Sequence, residues 1–344
     1  MKEALLWERL DPPRVRCNLC AHRCKIPEGR TGLCLMRENR GGTLYTRVYG
    51  RTISQNVDPI EKKPLYHFHP GSTSFSMATP GCNLRCAWCQ NWEICQIPAD
   101  RAEALGQEAT PAQLVSNAQQ AGCRSIAYTY TEPTIFFEYA LDTARLAREA
   151  GVANVFVTNG YMTPEALDMA APVLDAANVD LKAFRDATYR EYVKGRLTPV
   201  LESLKALRRL GVWLEVTTLL IPGLNDSEEE VRDIALFLVQ ELGAHTPWHL
   251  SRFFPAHDML DRPPTPVTAI EHAREIGRRA GLRYVYAGNV AAQADLACPA
   301  CGRELLKRSG ARVVFNAVTP EGTCPGCGAQ VDGVGMGGVG SRTS

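Results

Sequence analysis

Along the middle of the chain, apolar residues cluster in short runs separated by longer stretches of helical period. Runs over residues 72–78, 125–130, 154–158, 178–181, 213–221, 249–254 and 283–287 are rich in Val, Ile, Thr and aromatics. Branched and aromatic side chains suit a buried pleated surface, so these runs read as strands. Thr110-Pro111 opens a helix, with Thr as cap and Pro at the first helical position, running to residues 120–122. Thr163-Pro164-Glu165 opens another in the same way. Asp226-Ser227-Glu228-Glu229-Glu230 starts a third, with carboxylates near the positive helix end. Repeated strand–helix units predict an α/β fold with a parallel sheet or barrel, and function at the carboxyl ends of the strands.

The pattern changes on both flanks. Residues 1–71 carry Cys17, Cys20, His22, Cys24 and Cys34, then short strands over 43–48 and 52–57. The string Asp58-Pro59-Ile60-Glu61-Lys62-Lys63-Pro64-Leu65-Tyr66-His67 reads as an ordered connector. After residue 290 come two knuckles, Cys298-Pro299-Ala300-Cys301 and Cys324-Pro325-Gly326-Cys327, with a strand over 313–315 between them. Paired C-x2-C units around short strands predict a zinc ribbon over 291–332. The glycine-rich end, 333–344, has little to bury and is expected to be disordered. The barrel is expected over 72–290.

Composition adds bounds. The 344 residues allow two or three domains, and 45% hydrophobic with 22% charged content fits a globular protein. A net charge of +1 gives no support for a broad nucleic-acid-binding surface. No run approaches the roughly 20 apolar residues of a membrane span, so a soluble, cytoplasmic protein is expected. Thirteen cysteines would be many for chance, but most fall in local sets at metal-ligand spacing. Cys123 reads as a core residue; Cys95 stands outside the sets and its role is open.

The central chemistry lies in Cys82-Asn83-Leu84-Arg85-Cys86-Ala87-Trp88-Cys89, after an apolar run and a Pro80-Gly81 turn. Three thiolates at this C-x3-C-x2-C spacing can fold around one iron–sulfur cube and leave one iron open. The bland alternatives are half a zinc site or small buried hydrophobes. Soft thiolates and the lack of a matching fourth ligand favour the cluster.

These residues resemble the radical S-adenosylmethionine (SAM) superfamily, in its pyruvate formate-lyase activating-enzyme-like branch. Cys17-x2-Cys20-x-His22-x-Cys24, Gly29, Gly32-x-Cys34, the string from Asp58 to His67, Gly81-Cys82-Asn83 and Gln90-Asn91-Trp92 are similar to the radical enzyme of the AmmeMemoRadiSam system. The resemblance implies a partial (β/α)6 barrel, a [4Fe-4S] cluster on Cys82, Cys86 and Cys89, and SAM chelating the open iron. Reductive cleavage of SAM would then give methionine and a 5'-deoxyadenosyl radical that abstracts hydrogen from a substrate.

The resemblance also implies roles for other residues. Glu132 in Thr131-Glu132-Pro133 would take the SAM amine, with Thr131 standing where the family has glycine. Asp180 and Lys182 point to one face of a strand and would meet SAM, Lys182 at its carboxylate. Structural alternatives are a favourable acid near a helix start for Glu132 and a plain salt pair for Asp180 and Lys182. Asn159 is a SAM donor or a turn residue before Gly160. Trp88 would touch adenine or shield the cluster. His257 is a candidate for a SAM or substrate role; His249, within a strand, is as readily a satisfied core histidine. Cys298, Cys301, Cys324 and Cys327 would hold zinc. Cys17, Cys20, Cys24 and Cys34 would hold zinc, with His22 able to replace one ligand, or an auxiliary cluster; the alternative is inert thiols.

The leading functional expectation is a radical SAM enzyme, oxidoreductase-like, fed by a flavodoxin or ferredoxin. One alternative is a glycyl-radical-enzyme activase. Against it, residues 215–223 lack the arginine that such activases carry before Pro222-Gly223. A non-catalytic iron–sulfur and zinc-ribbon adaptor is the alternative of another class. The family context suggests Memo-like and AMMECR-like proteins as partners. Both cysteine-rich flanks are expected to meet at the carboxyl rim of the barrel, with Trp88, Asn159 and His257 facing the cavity.

Overall fold

The structure is a computed structural model and describes residues 1–98, 101, 105–290 and 294–338. Its centre is an eight-stranded sheet. We number its strands β1 (Ser54–Pro59), β2 (Thr73–Ala78), β3 (Ser125–Tyr128), β4 (Ala153–Thr158), β5 (Ala176–Asp180), β6 (Trp213–Leu220), β7 (Trp248–Arg252) and β8 (Val285–Gly288). Strands β2 to β8 are parallel neighbours in chain order. The seven predicted strands are all present, with shifts of one or two residues at their ends. Helices α1 (Pro111–Gln120), α2 (Phe137–Glu149), α3 (Pro164–Ala170), α4 (Leu197–Arg209), α5 (Glu228–Phe237) and α6 (Val267–Arg279) fill the connections. The sheet therefore holds six β–α units and a last strand. β1 and β8 are its two edges, so it is a partial barrel.

The local signals act as read. Thr110 caps α1 in a full capping box with Gln113. Thr163 accepts from Ala166 N at α3, and Ser227 from Glu230 N at α5. Cys123 and His249 are buried in the core. Among the described residues, no helix is long and apolar enough to cross a membrane.

Three expectations about the flanks are corrected. First, the barrel sheet begins before residue 72: β1 pairs antiparallel with β2, Ser54 opposite Ala78 and Pro59 opposite Thr73. The chain then turns inward. Ile60, Leu65 and Phe68 pack with Ala127, Val155 and Ala176 of the sheet. Those small inward side chains leave a space that the connector fills, so it forms the barrel floor.

Second, the ribbon docks at the amino-terminal ends of the strands and not at the carboxyl rim. Its strands β9 (Leu296–Ala297), β10 (Glu304–Ser309) and β11 (Arg312–Asn316) share a core with Tyr66, Tyr284 and Tyr286. The ribbon is therefore not self-contained within 291–332. Arg308, fully buried, donates to the carbonyl of Tyr66 at 2.7 Å and lies 4.6 Å over its ring.

Third, the start of the expected disordered tail is packed. Val334 N donates to His67 O, His69 N donates to Val334 O, and Met336 is buried. Residues 339–344 of that tail lie outside the described residues.

His67 joins tail, floor and barrel. One ring nitrogen meets the Asp332 carbonyl at 2.7 Å and the other meets the Tyr286 hydroxyl at 2.7 Å. Burial pulls its pKa from the usual 6.5 down to about 4. The folded chain thus keeps His67 neutral while unfolded chains protonate below about 6.5. Unfolded chains bind more protons across that window, so stability falls as pH drops through it. In His67→Gln, the loss of unfolding midpoint between pH 7 and 4 is expected to be shallower. Some slope should remain, because burial lowers His69 to about 4 as well. An unchanged slope would count against this role.

The N-terminal module has two small antiparallel sheets. One orders Lys2–Glu3, Thr43–Thr46 and Arg37–Arg40; the other orders Trp7–Arg9, Val15–Cys17 and Lys25–Ile26. A buried ion pair between Arg37 and Glu138 pins it to α2. Glu138 also accepts from Leu5 N at 2.7 Å.

Candidate active site

A cavity of about 350 Å³ opens at the carboxyl ends of the strands. Cys82, Cys86 and Cys89 line it, on the loop after β2. Gly81 turns the chain into that loop with φ +102°, and a Cβ there would meet Met36 at 2.5 Å. The loop is held by backbone bonds from Arg85 N to Val193 O and from Ala87 N to Tyr192 O. Burial pushes Cys86 up to about 12. A hydrogen bond with Cys95 holds Cys89 down to about 7. Cys95, left open by its sequence position, is buried beside Cys82 and Cys89, and its hydrogen bonds with them push it upward.

Glu132 follows β3 and lines the same cavity, fully buried. Its Oε1 accepts from Thr134 N, Thr134 Oγ1 and Thr158 Oγ1; its Oε2 accepts from Asn159 N at 2.8 Å. The carboxylate thereby ties the end of β4 to the end of β3, while Oε2 keeps an acceptor position. Burial raises its pKa despite these donors. Asn159 Nδ2 reaches Asn83 Oδ1 at 2.8 Å and Cys82 Sγ at 3.7 Å. Thr131 is free of positive-φ strain: the positive φ, +62°, falls on Tyr130, and Thr131 Oγ1 donates to Thr79 O at 2.8 Å.

Asp180 ends β5, and Lys182 Nζ donates to its Oδ2 at 2.9 Å. Burial opposes the charge on Lys182, yet Asp180 and Cys86 outweigh it and push the pKa well above normal. Trp88 is buried on the cavity wall. His257 lies outside the residues that line this cavity; it stacks on Trp92 at 5.2 Å and meets Gln96 at 3.1 Å. Sequence reasoning also passes over Lys63, Tyr130 and Asn91 on the wall. Lys63 pairs with Asp58 at 2.8 Å, and Tyr130 donates to the same carboxylate. The signal is present in the connector, whose paired lysines follow two acids, Asp58 and Glu61, in a segment that is largely buried.

The other cysteine sets differ in geometry. Cys298 and Cys327 lie 3.7 Å apart, as do Cys301 and Cys324, and all four sulfurs fall within 4.8 Å. A Zn–S bond of about 2.3 Å gives a tetrahedral edge of about 3.8 Å, which these pairs match. Cys17, Cys20, Cys24 and Cys34 line a separate, largely apolar cavity with Leu19, Ile26 and Ile135. His22 is not free to join them through Nε2, which donates to the Asn83 carbonyl at 2.7 Å.

A partial barrel with three cysteines after its first parallel strand, and a carboxylate after the second, defines the radical SAM class. The chain belongs to the radical SAM superfamily, whose family model matches residues 77–238. An uncharacterized protein of Methanocaldococcus jannaschii is 44% identical over 339 residues, 96% of this chain and 99% of that protein. The pyruvate formate-lyase 1-activating enzyme of Escherichia coli K12 is 24% identical over 183 residues, 48% of this chain and 73% of that enzyme. Streptococcus suis SuiB bound to S-adenosylmethionine shares the fold, with TM-score 0.50 and 13% identity. The match covers 67% of this chain but only 53% of SuiB. Members of the superfamily are enzymes, and the family implies a [4Fe-4S] cluster and SAM.

Proposed function

We propose that this chain is an enzyme that cleaves SAM reductively and abstracts hydrogen from a substrate bound at the carboxyl rim. One observation carries the reading: Cys82, Cys86 and Cys89 wall the same cavity as Glu132, Asp180 and Lys182. Three soft donors fit an iron–sulfur cube, and SAM would lie beside it in the same cavity. When bound, cluster and SAM together supply a primary carbon radical, fed by a low-potential electron donor such as flavodoxin or ferredoxin. The chain's own residues then position and shield. Lys182 is a fixed cation for the SAM carboxylate, and the open acceptor position on Glu132 suits its amine. Trp88 and Asn159 flank the cysteines and keep water away. A non-catalytic adaptor would not need this set of buried charges on one wall.

Within the superfamily, we favour the AmmeMemoRadiSam radical enzyme, with Memo-like and AMMECR-like proteins as partners. The strings that suggest it have definite work in the fold: one walls the N-terminal cavity and the other makes the barrel floor. An activase for glycyl-radical enzymes is disfavoured. The inward positions Glu215, Thr217 and Leu219 of β6 carry no arginine, and Glu215 is committed to Tyr66, His67 and His249. We propose zinc for the ribbon, on the spacing of its sulfurs.

The test is anaerobic incubation of reduced protein with SAM, read as methionine and 5'-deoxyadenosine. No cleavage by protein with a full cluster would overturn the reading. Glu132→Gln keeps the shape but loses the charge. Charged hydrogen bonds contribute about 1.5–3 kcal/mol, so SAM affinity should fall roughly ten- to hundredfold. Unchanged affinity by titration would remove Glu132 from the SAM site.

A further inference from the structure

We propose that Cys17, Cys20, Cys24 and Cys34 hold a second [4Fe-4S] cluster, docked against the loop that carries Cys82 to Cys89. Four cysteines of the N-terminal module, Cys17 at a strand end and Cys20, Cys24 and Cys34 after it, converge on one cavity. The chain offers its own yardstick for zinc: the ribbon sulfurs sit 3.7 Å apart in pairs. Among the described residues, the ribbon is the group of three or more ligating side chains whose donor atoms all close to within 4.8 Å. No three of the N-terminal cysteines do so, and neither do Cys82, Cys86 and Cys89. Both sets are therefore more open than the ribbon's four sulfurs. A cube carries its ligands on the corners of a four-iron core and needs that width, whereas one tetrahedral ion does not.

The surroundings suit such a group. Leu19, Ile26 and Ile135 keep the cavity dry. Arg37, buried on its wall, donates to Cys17 Sγ at 3.1 Å, to Leu5 O at 3.0 Å, and pairs with Glu138. Its Nε has no hydrogen-bond partner. A cluster with four thiolates is anionic, and a guanidinium beside it offsets part of that charge. His22 does not compete as a ligand through Nε2. Instead it links the two sites: it lies two residues after Cys20 and donates to the carbonyl of Asn83, next to Cys82. Four cysteine ligands leave no iron open, so this cluster binds no SAM.

The test uses full-length protein reconstituted anaerobically with iron and sulfide. Wild type should hold about eight irons per chain, and Cys82→Ala/Cys86→Ala/Cys89→Ala about four. The iron left in that triple variant should give a reduced [4Fe-4S] signal by electron paramagnetic resonance that SAM does not alter. Adding Cys20→Ala and Cys24→Ala should remove it. Wild type with about four irons, all SAM-responsive, would overturn the proposal, as would a second zinc per chain in place of iron. A triple variant that keeps a SAM-responsive signal would instead overturn the assignment of the radical site. Wild-type Mössbauer spectra with SAM decide between one cluster and two without any variant, since the iron that SAM perturbs is about one quarter of the total with one cluster and about one eighth with two.

Discussion

Cys86→Ala is expected to lose the reduced, SAM-responsive paramagnetic signal and to cut SAM cleavage by more than a hundredfold. Burial pushes the free thiol of Cys86 up to about 12. A thiol so placed is inert unless a metal takes its proton. Removing even an outer-shell partner of a metal site costs about 10–100-fold, so loss of a ligand should exceed that. The same loop is held by the Tyr189–Val193 turn through backbone bonds that alanine leaves intact, so the fold should survive. Cys95→Ala is the informative control, because Cys95 lies beside Cys82 and Cys89. If the site uses three ligands, Cys95→Ala retains its iron. Retention of the signal in Cys86→Ala, with loss in Cys95→Ala, would exchange the two residues in the assignment.

Much of this is readable along the chain because the deciding information is local. The seven strands carry their own β-branched runs, and Thr110, Thr163 and Ser227 each cap the helix they precede. The radical site is readable for a related reason. Its cysteines lie within eight residues, and Glu132, Asn159, Asp180 and Lys182 all fall at strand ends, which a parallel barrel gathers at one rim. What stays hidden depends on contacts distant in sequence. Nothing near residues 60–68 says that they fill the barrel; the hint lies in Ala127 and Ala176, too small to fill it alone. Catalysis at the rim argues for a ribbon there, yet Arg308 and Tyr66 carry it to the opposite end. The loop after the sixth parallel strand argues for His257 in the site, yet a stack on Trp92 takes it off the cavity wall.

Replacing Cys301 and Cys327 by serine is expected to destabilise the barrel as well as the ribbon, lowering the unfolding midpoint on the order of ten degrees. These are the exposed cysteines of the four, so the change would remove the proposed zinc without opening a core cavity. Structural zinc supplies about 10–16 kcal/mol of folding energy in small domains, and a ribbon without it should open. The loss then spreads through Arg308. Its guanidinium is buried against Tyr66 and lies 3.9 Å from Glu61, whose own carboxylate is buried and carries one oxygen without a partner. Withdrawing one member of a buried charge pair costs about 3–5 kcal/mol. Each kcal/mol shifts the midpoint by about 2–4 °C in chains of 150–250 residues, and somewhat less in longer ones. The floor also carries His67, which the end of the ribbon holds through Asp332, so an open ribbon loosens the base on which the cavity rests. Arg308→Met separates the two contributions: it should lower the midpoint by part of this amount while metal analysis still finds zinc. If the double serine variant loses its zinc and melts with wild type, the ribbon is an appendage and does not stabilise the barrel.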